Sequence, residues 1–189
     1  MTPAAARATV IDMATRPATA ARRPVPLRRR RLDLVFLVFY AVNASFITYV
    51  VDLEQLVIAD PSTFDYPLWP PPPLVDLVHW YGDMFDPLLM ARPPFWRMTI
   101  WIDVLFFGPF YLFAVYAFAR GRDWIRVPAL VWSGMMLANV LILLMEERYG
   151  QWATDHFGVV LAANLPWLLL PLATIWRMRR DHPFTEAVP

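Results

Sequence analysis

Asp103 is the only charged residue in the apolar stretch 98–119, five positions in from its start. On a helix this places it about 8 Å below the boundary of the stretch. A charged Asp at the centre of a membrane helix costs about 2.5–3.5 kcal/mol on insertion scales, and less off centre. Such a residue either lines a cavity or is a protonated or helix-paired packing group, and taken alone Asp103 permits both. Other polar groups keep it company. Asp52 closes the apolar stretch 34–51, Asp86 closes an amphipathic segment, and Glu146 and Glu147 end the stretch 127–145. Asn139 and Asn164 interrupt the third and fourth stretches. Each acid at a span end could be an interfacial charge. All of them fall in the same half of the membrane, however, and that favours a shared acidic pocket. Trp80, Trp101 and Trp167 could supply its apolar walls and cation–π contacts.

Other chemistries find little support. No cysteine is present, which removes thiolate catalysis, iron–sulfur ligation and Cys-type zinc sites. Asp76, His79, Asp83 and Asp86 share one helix face at steps of three, four and three. A metal could sit on such a face, but a solvated polar face explains it more simply, so no metal site and no cofactor are expected. There is no Gly-rich phosphate loop, His-Glu-x-x-His pair or nucleophile elbow. The net charge of +1 points to no nucleic-acid partner.

These side chains need elements to hold them, and the composition says which. Of the 189 residues, 58% are hydrophobic and only 17% charged, a balance suited to a lipid solvent. The stretches 34–51, 98–119, 127–145 and 157–176 are each long enough to cross about 30 Å of hydrocarbon as a helix. The fold class expected is all-α: an integral membrane four-helix bundle, with residues 74–85 forming a short amphipathic helix in the long first external loop. Leu74, Leu77, Val78, Tyr81 and Phe85 make its apolar face. Residues 1–31, rich in Ala, Thr, Pro and Arg, read as a disordered tail. Residues 32–180 read as the transmembrane domain, and residues 181–189 as a C-terminal tail. Arginine sets the orientation. Fourteen of the seventeen lie in the N-terminal tail, the connection between spans two and three, and the C-terminal end. Both termini are therefore expected in the cytoplasm. Trp69, Trp96, Trp124, Trp152 and Trp176 lie near span ends, as interface anchors would. Every basic residue is Arg, a genome-composition bias that suggests a bacterial plasma membrane.

Three stretches carry a family resemblance: Ile47-Thr48-Tyr49-Val50-Val51-Asp52-Leu53; Trp80-Tyr81 with Phe85-Asp86-Pro87-Leu88-Leu89; and Tyr116-Ala117-Phe118 through Trp124-Ile125-Arg126-x-Pro128. In this order and spacing the chain resembles the EXPERA domain family, most of all its sigma-two receptor branch. The resemblance runs from about Leu34 to Arg180. It implies a pocket opening to lipid, in which the acid at the end of the first span binds the cationic amine of a ligand. That acid is Asp52 here, supported by Asp86 of the Asp-Pro-Leu motif. A third acid in the second span corresponds to Asp103. Asn164-Leu165-Pro166-Trp167 is similar to the Asn-x-x-Trp of the sterol-isomerase branch, the emopamil-binding proteins.

Two functions follow as expectations. The first is binding of a sterol-like or other hydrophobic, cationic small molecule or lipid, with Asp52, Asp86, Asp103, Asn164, Trp167, Thr48, Trp80 and Asn139 around it. The alternative is a double-bond isomerase of a sterol-like polycyclic lipid using carboxylate acid–base chemistry. Thr48 stands where the isomerase branch has a His, so its proton-transfer set is incomplete here, and no catalytic residue is assigned. A structural role with another membrane protein ranks third, because small-xxx-small pairs are few. A homodimer is left open.

Overall fold

The structure, a computed structural model, describes residues 21–188. Four helices are long and apolar enough to cross a membrane: α1 (Asp33–Val57), α4 (Pro94–Arg120), α5 (Asp123–Tyr149) and α6 (Phe157–Arg177). Between α1 and α4 lie α2 (Pro72–Phe85) and the short α3 (Pro87–Ala91). The protein is an integral membrane four-helix bundle. Apolar side chains such as Val38, Phe106, Phe113, Leu141 and Leu169 remain exposed on its outside, as a lipid-facing surface requires.

Local sequence explains the boundaries. Pro72 and Pro94 open α2 and α4 at positions whose N–H has no helical partner in any case. Gly121, with φ of 66°, ends α4 in the left-handed conformation that glycine adopts without penalty. Each span runs past the apolar stretch that predicted it. The largest extension at any one end is in α1, which continues through Asp52 to Val57. Span ends with charged residues are still helical, because backbone groups near lipid must pair internally.

Two stretches depart from α geometry. Over Asn43–Asp52, α1 widens into a π-helix, and α4 does the same over Asp103–Phe107. One ends at an acid and the other begins at one. Wide turns of this kind often mark functional sites.

An aromatic cluster fills the core of the bundle toward the start of α1 and the end of α4. Tyr40 stands at its centre, 5.3 Å from Phe118 and 5.4 Å from Trp132 between ring centroids, and Phe110 stacks on Trp132 at 5.2 Å. Tyr40 Oη shares a 2.9 Å hydrogen bond with Thr174 Oγ1, tying α1 to α6.

The described ends of the chain meet at this same end of the bundle. The strand β1 (Arg22–Pro24) pairs antiparallel with β2 (Thr185–Ala187). Within the segment 1–31, read from the sequence as a disordered tail, residues 22–24 and 27–29 form regular elements, and so do residues 185–187 of the C-terminal tail 181–189. Residues 1–20 lie outside the described part. The cause is a polar anchor: Arg22 donates through Nε and Nη2 to Thr185, each at 3.0 Å. Phe184 is buried against Phe118, and Arg30 and Arg177 lie over its ring.

The buried stripe of α2 also differs from the expected one. It is Val75, Val78 and Gly82, while Leu77 is half exposed. Gly82 explains the rotation. A Cβ there would lie 2.5 Å from Met90 Sδ, so the absence of a side chain lets α2 fold down on α3.

Candidate functional site

The acids converge through helical spacing on two spans. Thr48, Asp52 and Gln55 fall at steps of four and three on α1, so they share a face. On α4 the facing residue is Asp103. Thr48 Oγ1 donates to Asp103 Oδ1 at 2.6 Å, and Asp52 and Asp103 are close neighbours on the wall of one cavity. The second oxygen of Asp52 is buried with no hydrogen-bond partner. Gly108 permits the approach of the spans: a Cβ there would lie 2.8 Å from Thr48 Cγ2 and from Tyr49 Oη.

Beside this pair lies a cavity of about 360 Å³, within the range of about 300–1,000 Å³ typical of small-molecule sites. Asp52, Asp86, Asp103, Asn139, Asn164, Trp80 and Trp167 all border it. Thr48, the eighth residue named from the sequence, stands behind Asp103 and reaches the site through its hydrogen bond. The rest of the wall is mainly aromatic and aliphatic, with Phe46, Tyr81 and Phe107 among it.

Trp167, Asn164 and Asp86 are each aimed by a neighbour. Trp167 Nε1 donates to Asn43 Oδ1 at 2.9 Å, which fixes the indole against the first π turn. Asn164 Nδ2 donates to the Val160 carbonyl at 3.0 Å, leaving its oxygen free for the cavity. Asp86 Oδ1 accepts from Leu89 N at 2.9 Å and so caps α3. Burial pushes the Asp86 carboxyl up to about 6, against the opposing pull of the Leu89 and Leu88 amides. The Tyr81 hydroxyl, nearby, is pushed up to about 12 by burial and by the charges of Asp86 and Glu147.

Some residues are placed differently from expectation. The acid that meets Asp52 is Asp103, while Asp86 spends an oxygen on its own cap. Trp101 is 44% exposed and is absent from the cavity wall. Trp96, expected at the interface, is buried there instead and donates to Gln55 Oε1 at 2.6 Å. The Asp76–His79–Asp83–Asp86 face does not converge. Asp76 accepts from Tyr66 Oη, and His79 turns to Glu54. Among the described residues no group of three or more His, Asp or Glu is placed to hold a metal.

A second buried acid lies two residues beyond Asp52. Glu54, fully buried, receives Arg92 Nη2 at 2.9 and 3.0 Å and meets His79 Nε2 at 2.8 Å. Arg92 also donates to the Ile58 carbonyl at 2.5 Å. This clamp joins the end of α1 to α2 and to the turn after α3, and so supports the cavity from the loop side. Continuing the helical spacing past Asp52 would have found Gln55, but ending the first span at residue 51 hid it. Nothing in the local sequence marks Glu54 or Arg92.

Known proteins align with this arrangement. The family described as EXPERA (EXPanded EBP superfamily) matches residues 73–178. "Sigma intracellular receptor 2" of Xenopus tropicalis is 33% identical over 160 residues, covering 79% of this chain and 88% of that protein. The protein of that name from Macaca fascicularis is 28% identical over 171 residues, covering 83% and 92%. The Homo sapiens one is 33% identical over 120 residues, covering 56% and 68%.

Proposed function

Because this chain belongs to the EXPERA (EXPanded EBP superfamily) family, we propose that its loop-end cavity binds a hydrophobic, cationic small molecule of roughly sterol size. One observation carries this reading: Asp52 is a buried acid whose close neighbour is another acid and whose second oxygen has no partner. A buried carboxylate needs a cation or a proton. An amine entering the cavity supplies the cation, with Asp52 as its counter-ion and Asp103 as the proton-bearing partner. Trp80 and Trp167 offer ring faces to the cation, and the apolar wall takes the hydrocarbon. The Arg asymmetry supports a reading with both termini in the cytoplasm and the cavity in the outer half of the bilayer. The bacterial plasma membrane remains the reading of the Arg-only composition, although the relatives named above are vertebrate proteins.

Binding of a sterol-like amine to the purified protein tests the proposal. Asp52→Asn should weaken it by about thirtyfold or more, since removing one partner of a buried charge pair costs about 2–5 kcal/mol. Unchanged affinity in that variant would falsify the assignment.

Isomerisation has a specific observation in its favour: two neighbouring carboxyls, Asp52 and Asp103, line the same cavity as Trp167, so an acid for proton transfer would stand near a ring able to stabilise a carbocation. Incubation with polycyclic lipids in deuterated water tests it. Deuterium should appear in the product if a carboxyl shuttles the proton, and its absence from every lipid counts against turnover.

A further inference from the structure

At the opposite end of the bundle, the start of α1 and the end of α6 border a second hollow of about 370 Å³. Its floor is a buried ion triad. Asp33 accepts Arg177 Nε at 2.7 Å and Nη2 at 3.0 Å, and pairs with Arg30 as well. Two guanidiniums thus share one carboxylate, and the floor keeps a positive charge. Around the rim stand Arg29, Arg31 and Arg180, all exposed. None of the three has a carboxylate within ion-pair distance among the described residues. The other described acids nearby are engaged elsewhere: Asp181 pairs with Arg126 and Glu186 with Arg23, while Asp123 takes His182 Nδ1 and Phe184 N.

Like charges gathered around a hollow repel one another unless an anion joins them. Guanidinium forks match the paired oxygens of a phosphate better than they match a monatomic ion. The surroundings indicate the source of that phosphate. The hollow lies at the ends of two spans, and Leu32, Val35 and Leu172 continue from it as exposed apolar surface along α1 and α6. Trp176, 55% exposed, stands beside it with Arg179 stacked 4.1 Å from its ring. Such a surface offers acyl chains a path that a free anion would not use.

We infer that this hollow is a binding site for the phosphate headgroup of an anionic phospholipid. It is separate from the loop-end cavity and does not depend on what that cavity binds. Basic pockets between spans take such headgroups by charge, with about 1 kcal/mol per arginine near the surface.

The test is native mass spectrometry of the purified full chain titrated with phosphatidylglycerol, with phosphatidylcholine and with inorganic phosphate. Phosphatidylglycerol should be retained over phosphatidylcholine, with a preference that shrinks as salt is added. The exposed rim is changed in R29Q/R31Q/R180Q, which leaves the triad intact. About fivefold should be lost per arginine, or roughly a hundredfold in all. Equal retention of the two lipids, a preference insensitive to salt, or a triple variant that binds like the parent overturns the site. Saturation by inorganic phosphate at the same affinity overturns the lipid as its occupant. The salt series on the unaltered chain decides the matter if the triple variant does not fold.

Discussion

Asp52 and Glu54 lie two residues apart on α1, both buried at the loop end of the bundle, and they are treated in opposite ways. Glu54 is fully paired, with Arg92 along one edge and His79 at 2.8 Å. Asp52 meets Asp103 and has an oxygen left over. Successive positions of a helix face different neighbours, so a shift of two residues moves a carboxylate from a clamp into a cavity. The difference separates structure from function. A buried acid with its own cation is finished, and losing the cation leaves a stranded charge. A buried acid with only another acid for company costs stability and has capacity to spare for a ligand.

The largest effect should come from the finished acid. Glu54→Gln strands Arg92 and should lower stability by about 3–5 kcal/mol, read as a shift in unfolding of the detergent-solubilised protein. Asp52→Asn should leave stability nearly unchanged or raised while abolishing amine binding. Equal destabilisation by the two variants would erase the distinction between them. Asp86 gives an intermediate case. Its folded pKa of about 6 lies above the ordinary 3.8, so the folded state holds the proton more tightly than the unfolded state does. Its contribution is therefore greatest at low pH and falls as pH rises from 3.8 to about 6. The change is at most about 3 kcal/mol. In Asp86→Asn, which still caps α3, that part of the stability–pH profile should flatten. Smallest is Gly108→Ala, whose methyl would press on Thr48. About 1–3 kcal/mol of overpacking is expected. Binding should weaken with it, because Thr48 orients Asp103; a variant that loses stability but keeps its affinity would show that Thr48 does not matter to the ligand.

Much of this was legible beforehand. Four long apolar stretches, three of them free of charge, had to be spans, and Asp103 stood out in the other because lipid makes a carboxylate conspicuous. Asp52, Asp86, Asn139 and Asn164 could be grouped from their depth alone. What stayed hidden depends on contacts between distant segments. Arg92 and Glu54 are separated by 38 positions, and each looks like an ordinary loop or span-end charge. The π turns are invisible to a ruler of 3.6 residues per turn, and one ends at Asp52 while the other begins at Asp103. Gly108 looked like one scattered glycine among several. Its meaning lies in Thr48 and Tyr49, which belong to another helix.

The β1–β2 ribbon and the triad beneath it have a consequence for biogenesis. Asp33 sits at the start of the first span, yet Arg177, which shares its charge, is 144 positions later, and the partners of Arg22 are 163 positions away. A growing chain therefore inserts its first helix with Asp33 answered by Arg30 alone. The fourth helix must arrive before the triad is complete, and the strand after it before the ribbon can form. Closure of this end thus waits for the fourth helix, and a chain stopped before Arg177 would hold most of its spans but not the seal between β1 and β2.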